Sequence, residues 1–330
     1  MVDCSVVIVN WNGGELLRRA LSSLFSAIEG ARFRYEVIVV DNGSTDGSAE
    51  MVREEFPGAR LVEAGENLGF ARAANLGMRA ARGRYFLLMN NDIEVPGPEA
   101  LDGLVEVMEA VPDAALAGCR QFKPDGRPSN FPYSVARAKI FASVRNLLPK
   151  LTAARFRSLS PCPGLGRADV LEVGMVGGAF LMARREAVER VGMLDEDFFF
   201  YGEDTDWCLR FRRAGWRLVY VNSAHVVHVG AATARRVPLK TAVSKAVAKF
   251  LLFRKHGDRR LLPLALALAV LGYPFLVGLG PIVRGLSREG VARGLSTLWE
   301  GLVSILRAAR SPETNGLLAR RIAKGKVVLR

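Results

Sequence analysis

The chain has 330 residues, enough to bury a sizeable core in one large domain or in a domain with an appendage. Lys and Arg outnumber Asp and Glu by 46 to 33, a net charge of +13, which suits phosphorylated ligands, anionic lipid or nucleic acid; few aromatics and dispersed basic residues weaken the nucleic-acid option. Four scattered cysteines (Cys4, Cys119, Cys162, Cys208) with no C-x-x-C pair disfavour a disulfide frame or a cysteine zinc site and read as buried thiols in a reducing compartment.

The first predicted element is a strand, "SVVIVNWN" (5–12), an apolar β-branched run that ends in polar residues. No basic leader precedes it, so the cytosol is the expected location. A helix follows, with Leu17, Leu21, Leu24 and Phe25 at helical spacing. "YEVIVVDNGSTDGS" repeats the design: a buried strand over 36–40, a polar turn, and a helical stretch to about Phe56. "ARLVEAGENLGFARAANLGMRAA" predicts a short strand, a Gly-containing loop and a helix from about Phe70; "RYFLLM" is the fourth strand. Strands and helices alternating at this length predict right-handed βαβ units, a mostly parallel sheet and helices on both faces.

In such a sheet the ligand crevice lies beyond the carboxyl ends of the strands. Those ends carry Asn10-Trp11-Asn12, Asp41-Asn42-Gly43-Ser44, Asn67 and Asn90-Asn91-Asp92. Any one of them reads as an ordinary turn, but four polar ends on one edge favour a site. No G-x-G-x-x-G follows the first strand and no Walker A sequence occurs, so dinucleotide oxidoreductases and P-loop enzymes are disfavoured. Asp41 and Asn42 suit a base or ribose, and Asn90-Asn91-Asp92 offers oxygen ligands to a hard cation shared with substrate phosphates.

Five blocks carry a family resemblance in order: "VVIVNWNGGELLRRALSSL", "VIVVDNGSTDGS", "ENLGFARAANLGMRAARGRYFLLMNND", "GGAFLMARREAVERVGMLDEDFFFYGEDTDWCLRFRRAGWRLVYV" and "HVVHVGAAT". Over about residues 4 to 234 the chain resembles the family 2 glycosyltransferases, and within them the rhamnosyltransferase-like branch. The resemblance implies a GT-A fold, a nucleotide-diphosphate sugar donor, a divalent cation (Mg²⁺ or Mn²⁺) and inversion at the anomeric carbon. It places Asp41 on the base, with Asn10, Trp11, Asn12, Asn42 and Ser44 lining the nucleotide pocket. Asn67, with the helix start at Gly69-Phe70, would face the nucleotide or its phosphates. The family's D-x-D falls on Asn90-Asn91-Asp92, so the first acid is replaced by Asn90: Asp92 is left as the metal carboxylate, and Asn90 can still bond ribose or a metal-bound water.

His225 and His228 lie in a predicted strand at an offset of three, which puts them on opposite faces. A lone His there reads as a core residue, but the resemblance picks His228 as the metal ligand; His256 reads as surface. Glu203, Asp204 and Asp206 in "GEDTDW" suit a helix N-terminus, where acids cap the helix and oppose its dipole. The resemblance instead makes Asp204 the base that deprotonates the acceptor hydroxyl, and Glu203 the group that orients hydroxyls. Asp206 is expected to pair with Arg210 one turn on. Arg235 or Arg236 could support the leaving group, and Gly177-Gly178 either lets backbone approach the donor sugar or forms a tight turn.

The division expected is a catalytic domain over 1–240 and a helical, membrane-associated region over 241–330. Residues 261–283 carry no charge, are interrupted by Pro263, Pro274 and Pro281, and have basic residues on both flanks. A re-entrant, kinked or in-plane arrangement on the cytoplasmic face of the membrane accommodates these features; so does a helical subdomain packed on the catalytic domain. "GLSTLWEGLVSILRAAR" is amphipathic, with Trp299 suited to an interface. The composite expectation is an inverting transferase moving a sugar, with dTDP-L-rhamnose as the candidate donor, to a glycan or polyprenyl-linked acceptor in cell-surface polysaccharide synthesis. A UDP-hexose donor, or a catalytically silent sugar-nucleotide-binding scaffold, is the alternative.

Overall fold

The computed structural model describes residues 2–129, 169–230 and 238–268, with Trp299 and Val303. Three βα units open the chain: β1 (Cys4–Asn10) and α1 (Gly14–Glu29), β2 (Tyr35–Asp41) and α2 (Ser48–Glu55), β3 (Ala59–Glu63) and α3 (Phe70–Ala80). Then come β4 (Tyr85–Asn90), β5 (Ile93–Glu94), α4 (Glu99–Ala110), β6 (Ala114–Phe122), β7 (Val170–Glu172), β8 (Phe180–Arg184) and α5 (Arg185–Val191). The helix α6 (Glu203–Arg213), the long strand β9 (Arg217–His228) and α7 (Pro238–His256) complete the described set.

The nine strands form one sheet in the order β3-β2-β1-β4-β8-β6-β9-β5, with β7 beside β9. The expectation of a mostly parallel sheet is corrected. Strands β3, β2, β1 and β4 are parallel, but β8 enters antiparallel between β4 and β6, and β5 and β7 pair antiparallel with β9. Only β6 and β9 restore a parallel pair. The reason is connectivity: β8 runs straight into α5 and pairs its Arg184 with Tyr85 of β4, a contact that local periodicity does not encode.

Alternate residues of each central strand feed two separate cores, the expected consequence of period-two side chains. Val6, Ile8, Leu87 and Met89 pack with Leu17, Leu21 and Leu24 of α1 on one face. Val7, Phe86 and Leu88 pack with Ala71, Ala74 and Met78 of α3 and with Trp207 and Phe211 of α6 on the other. Cys4, Cys119 and Cys208 are buried free thiols, as expected; Cys162 lies outside the described residues.

A third core joins α7 to the rest: Phe250 and Phe253 close on Phe198, with Ala265 from the chain that follows. A division at residue 240 would cut α7 near its start. Of 261–283, residues 261–268 are described and the remainder lies outside; so do Arg235 and Arg236. Among the described residues no helix is long and apolar enough to cross a membrane. Leu261, Leu264 and Trp299 are exposed.

Candidate active site

The polar strand ends meet at one edge, where neighbouring loops interlock. Asn10, fully buried at the end of β1, donates from Nδ2 to Ser44 Oγ at 3.2 Å and Asp41 Oδ1 at 3.4 Å, and accepts from Asn91 Nδ2 at 2.8 Å. Asn12, in a left-handed conformation at φ +51°, accepts the Thr45 N–H at 2.8 Å and donates its own N–H to Ser44 Oγ at 2.9 Å. Asp41 Oδ2 takes the Ser44 N–H at 3.0 Å, closing the turn after β2. Buried as it is, Asp41 keeps lone pairs beyond these bonds, so it both shapes the pocket and can still accept from a ligand. Asn42 is bound to Asn67 (3.1 Å) and to the Gly69 carbonyl, and it accepts the Leu68 N–H.

The start of α3 differs from the phosphate-facing terminus expected there. Gly69, at φ +82°, lies so close to the 195–201 loop that an added Cβ would sit 2.5 Å from the Phe199 carbonyl oxygen. The Phe70 N–H already donates to that oxygen at 2.7 Å, and the Gly69 N–H is capped by Asn67 Oδ1. These donors tie the polar strand edge to the loop leading into α6; they are not open to a phosphate. Trp11 is half-buried beside this edge, and Asn90, half-buried at the end of β4, donates its N–H to the Ala179 carbonyl at 2.9 Å.

Asp92 and His228 meet through sheet register. Antiparallel pairing of β5 with β9 sets Ile93 opposite His228, and the Val229 N–H donates to the Asp92 carbonyl at 3.0 Å. The Asp92 side chain is buried, with Oδ2 accepting the Gly230 N–H at 3.2 Å. His228 Nε2 stands 3.3 Å from Asp92 Oδ1 but off the line a hydrogen bond needs, so that buried oxygen has no hydrogen-bond partner. On its other side His228 Nδ1 faces Gln121 Oε1 at 3.2 Å. With the amide oxygen as acceptor, Nδ1 carries the proton and Nε2 keeps its lone pair. The orphaned carboxylate oxygen and the imidazole nitrogen turned toward it can both be satisfied by a cation held between them. These donors fit a divalent ion. Among the described residues no third His, Cys, Asp or Glu completes a cluster, which leaves the rest of the shell to water and ligand phosphate. His225 lies on the opposite, exposed side of β9 against Phe122, as its spacing predicted.

Glu203 and Asp204 open α6 after two left-handed residues, Tyr201 (φ +71°) and Gly202 (φ +90°). Such a backbone costs a tyrosine on the order of 1 kcal/mol and sets the direction in which the carboxylates leave the turn. Asp204 Oδ2 accepts the Gly178 N–H at 3.0 Å; Oδ1 accepts the Thr205 N–H at 2.6 Å and the Thr205 hydroxyl at 3.2 Å. Gly178 is needed there, because an added Cβ would come within 3.1 Å of the Asp204 Cβ, whereas Gly177 faces open space. Burial raises the Asp204 carboxyl above the ordinary range, against those three donors. Glu203 is buried without a partner for Oε2, and burial, then the neighbouring Asp204 charge, push it up to about 8. The two adjacent carboxyls differ in their partners: Asp204 has three donors, while Glu203 Oε2 has none.

Asp206 pairs with Arg210 at 2.7 Å as expected, and its second oxygen holds His256 Nε2, also at 2.7 Å. The His256 side chain is therefore buried, not a surface group: only 3% of it is exposed. Arg213 contacts its Nδ1 and donates to its backbone carbonyl, so the end of α7 is clamped to α6. Gln121, Tyr201 and His256 are the site-side residues that sequence reasoning missed. Gln121 reaches His228 across 107 residues, a contact without local signal; the left-handed Tyr201 lies in a quoted block whose backbone the letters do not report.

A family model described as glycosyl transferase family 2 matches residues 5–192. The N-acetylglucosaminyl-diphospho-decaprenol L-rhamnosyltransferase of Mycobacterium tuberculosis (strain H37Rv) is 33% identical over 273 residues, 76% of this chain and 85% of its own length. The rhamnosyltransferase WbbL of Escherichia coli (strain K12) is 24% identical over 230 residues, 68% of this chain and 82% of its own. Among solved structures, the mannosyltransferase PcManGT of Pyrobaculum calidifontis, in complex with GDP-Man and Mn²⁺, matches with a TM-score of 0.53 at 18% identity, covering 94% of this chain and 87% of that one. That likeness shows the mixed α/β, GT-A-like fold. By the family model and the M. tuberculosis relative together, the chain belongs to glycosyl transferase family 2, rhamnosyltransferase-like.

Proposed function

We propose that the protein is an inverting, metal-dependent rhamnosyltransferase that moves L-rhamnose from dTDP-rhamnose to a sugar carried on a polyprenyl diphosphate. The activity of the M. tuberculosis relative supports the sugar and the acceptor class. The chemistry rests on one observation: a backbone-held Asp204 next to a buried, proton-holding Glu203. Asp204 Oδ2 accepts a single hydrogen bond and so has the freer lone pair. It takes the acceptor hydroxyl proton as the new bond to the anomeric carbon forms and the bond to the diphosphate oxygen breaks. Burial raises this carboxyl, and a carboxylate of raised pKa is a stronger base than an ordinary one. Glu203, protonated at neutral pH, donates a hydrogen bond to a sugar oxygen and adds no second negative charge.

Asn10, Asn12, Asp41, Asn42 and Ser44 hold the nucleotide end, with Trp11 beside them. Asp92 Oδ1 and His228 Nε2 would hold a divalent cation, with Asn90 and Asn91 near its phosphate side. When bound, that ion supplies Lewis-acid stabilisation to the leaving diphosphate. A lipid-linked acceptor places the working enzyme at the cytoplasmic face of a membrane. The test is transfer from dTDP-rhamnose to a prenyl-diphosphate-linked N-acetylglucosamine, with the product's anomeric configuration read by NMR. We expect inversion and loss of turnover on chelation, and thermal stabilisation by dTDP only with Mn²⁺ or Mg²⁺. Retention of configuration, or full turnover after exhaustive chelation, overturns the mechanism.

A further inference from the structure

Helix α7 lies across the turn that delivers the two carboxylates. A Cβ added to Gly202, directly before Glu203, would stand 3.0 Å from the Ala248 Cβ. Lys245, one turn before Ala248, is brought beside the turn by the same contact, and Lys249 follows it one turn on along the helix. Lys245 Nζ stands 4.6 Å from the centre of the Tyr201 ring. The Tyr201 hydroxyl in turn is pushed up by burial and then by the negative fields of Glu203 and Asp92, so the ring lies within reach of carboxylates from both halves of the site.

The two cations lack the partners that surround others nearby. Asp195 and Asp197 hold Lys255, and Asp206 holds Arg210 and His256. Lys245 is exposed and Lys249 half-buried. Among the described residues no carboxylate pairs with either one, and burial, then the Lys245 charge, hold the Lys249 ammonium below the usual lysine range. Like charges one turn apart destabilise a helix, and burying one of them adds desolvation. Two uncompensated ammonium groups stacked at the mouth of a transfer site make a receptor for a doubly charged anion.

We propose that Lys245, over the Tyr201 ring, and Lys249, one turn further along α7, bind the diphosphate of the prenyl-linked acceptor. Tyr201 stands two residues before Glu203 and three before Asp204, so Lys245 reaches the turn that carries the proposed base, where the acceptor hydroxyl must arrive. The assignment deepens the transferase reading and rests on it for the identity of the ligand.

Calorimetric titration with geranyl diphosphate tests the pair directly, without turnover. The Lys245→Gln/Lys249→Gln protein should bind roughly tenfold or more weakly than the wild type, and Lys245→Arg/Lys249→Arg should recover most of the affinity. Equal affinity in wild type and the Gln pair overturns the proposal. In transfer assays the ratio of kcat/KM for a diphosphate acceptor to that for a phosphate-free alkyl glycoside should fall by a similar factor; a matching loss of dTDP affinity would instead assign the lysines to the donor and refute the idea. A Gln pair that loses binding to phosphatidylglycerol vesicles but keeps geranyl diphosphate assigns them to lipid headgroups and refutes it equally. If wild type binds geranyl diphosphate through the lysines yet transfers no sugar, the diphosphate site stands and the transferase reading alone fails.

Discussion

Replacing Glu203 by Gln should make the protein more stable while damaging its chemistry. Gln has the shape of a protonated carboxyl and cannot ionise, so the substitution removes only the linkage between burial and protonation. In the folded protein the carboxyl is held up to about 8 by burial and by Asp204, against an ordinary value of 4.5. Between those values the native state binds a proton that the unfolded chain has released, so native stability falls as pH rises. At pH 7 the unfolded carboxyl sits about 2.5 pH units above its own midpoint, and at about 1.36 kcal/mol per unit the cost is about 3 kcal/mol. Urea unfolding of wild type and Glu203→Gln at acidic, neutral and alkaline pH measures it. The variant's advantage should be under about 1 kcal/mol near pH 5, about 3 kcal/mol near pH 7 and larger near pH 9, levelling off above the folded midpoint. A variant that is less stable than wild type near neutrality, or a difference flat with pH, refutes the reasoning. Gain of stability with loss of turnover is the behaviour of a side chain held in a costly state for function.

Asp204→Asn keeps the shape and the backbone anchor but cannot take a proton, so kcat should fall by about 10²–10⁴-fold with donor affinity little changed; an active Asp204→Asn beside a dead Glu203→Gln would mean the two roles are exchanged. Asp206→Ala strands Arg210 and the His256 imidazole and should cost about 3–5 kcal/mol in unfolding experiments near neutral pH. Burial alone would raise the Asp206 carboxyl, but the His256 and Arg210 contacts hold it below the ordinary range; its stabilisation is therefore complete above the unfolded value and lost as pH falls through the folded one, the reverse of Glu203. The full-length protein should sediment with membranes and resist high salt, since apolar contact is not screened as charge is; quantitative recovery in the soluble fraction at low salt, without detergent, contradicts membrane association.

The parallel half of the sheet and its polar edge were legible because each strand is local and ends in its own turn: Asn10, Asp41 and Asn90 could be placed from neighbouring letters alone. The pairing of Asp92 with His228 was reachable only through the family resemblance, since the residues are far apart in the chain and meet by the β5–β9 register. The antiparallel entry of β8 was not legible, because an apolar run of five residues fits either direction and the choice is made by its partner strands. His256 reads as a surface residue in the sequence, and nothing local singles out Lys245 or Lys249. What changes their meaning is the packing of α7 on Gly202 and Phe198, a tertiary contact between small and aromatic residues that carries no sequence signal of its own.

The clamp at the end of α7 has a geometric corollary. Lys255 grips Asp195 and Asp197, His256 grips Asp206, and Phe250 and Phe253 lock the helix between them. Residues 262–268 thus leave the clamp on a bearing fixed with respect to Asp204, separated from it by only a short 3₁₀ turn at Arg259–Leu261. An insertion between Gly257 and residue 262 would therefore re-point that segment without moving Asp204 or either partner of the clamp.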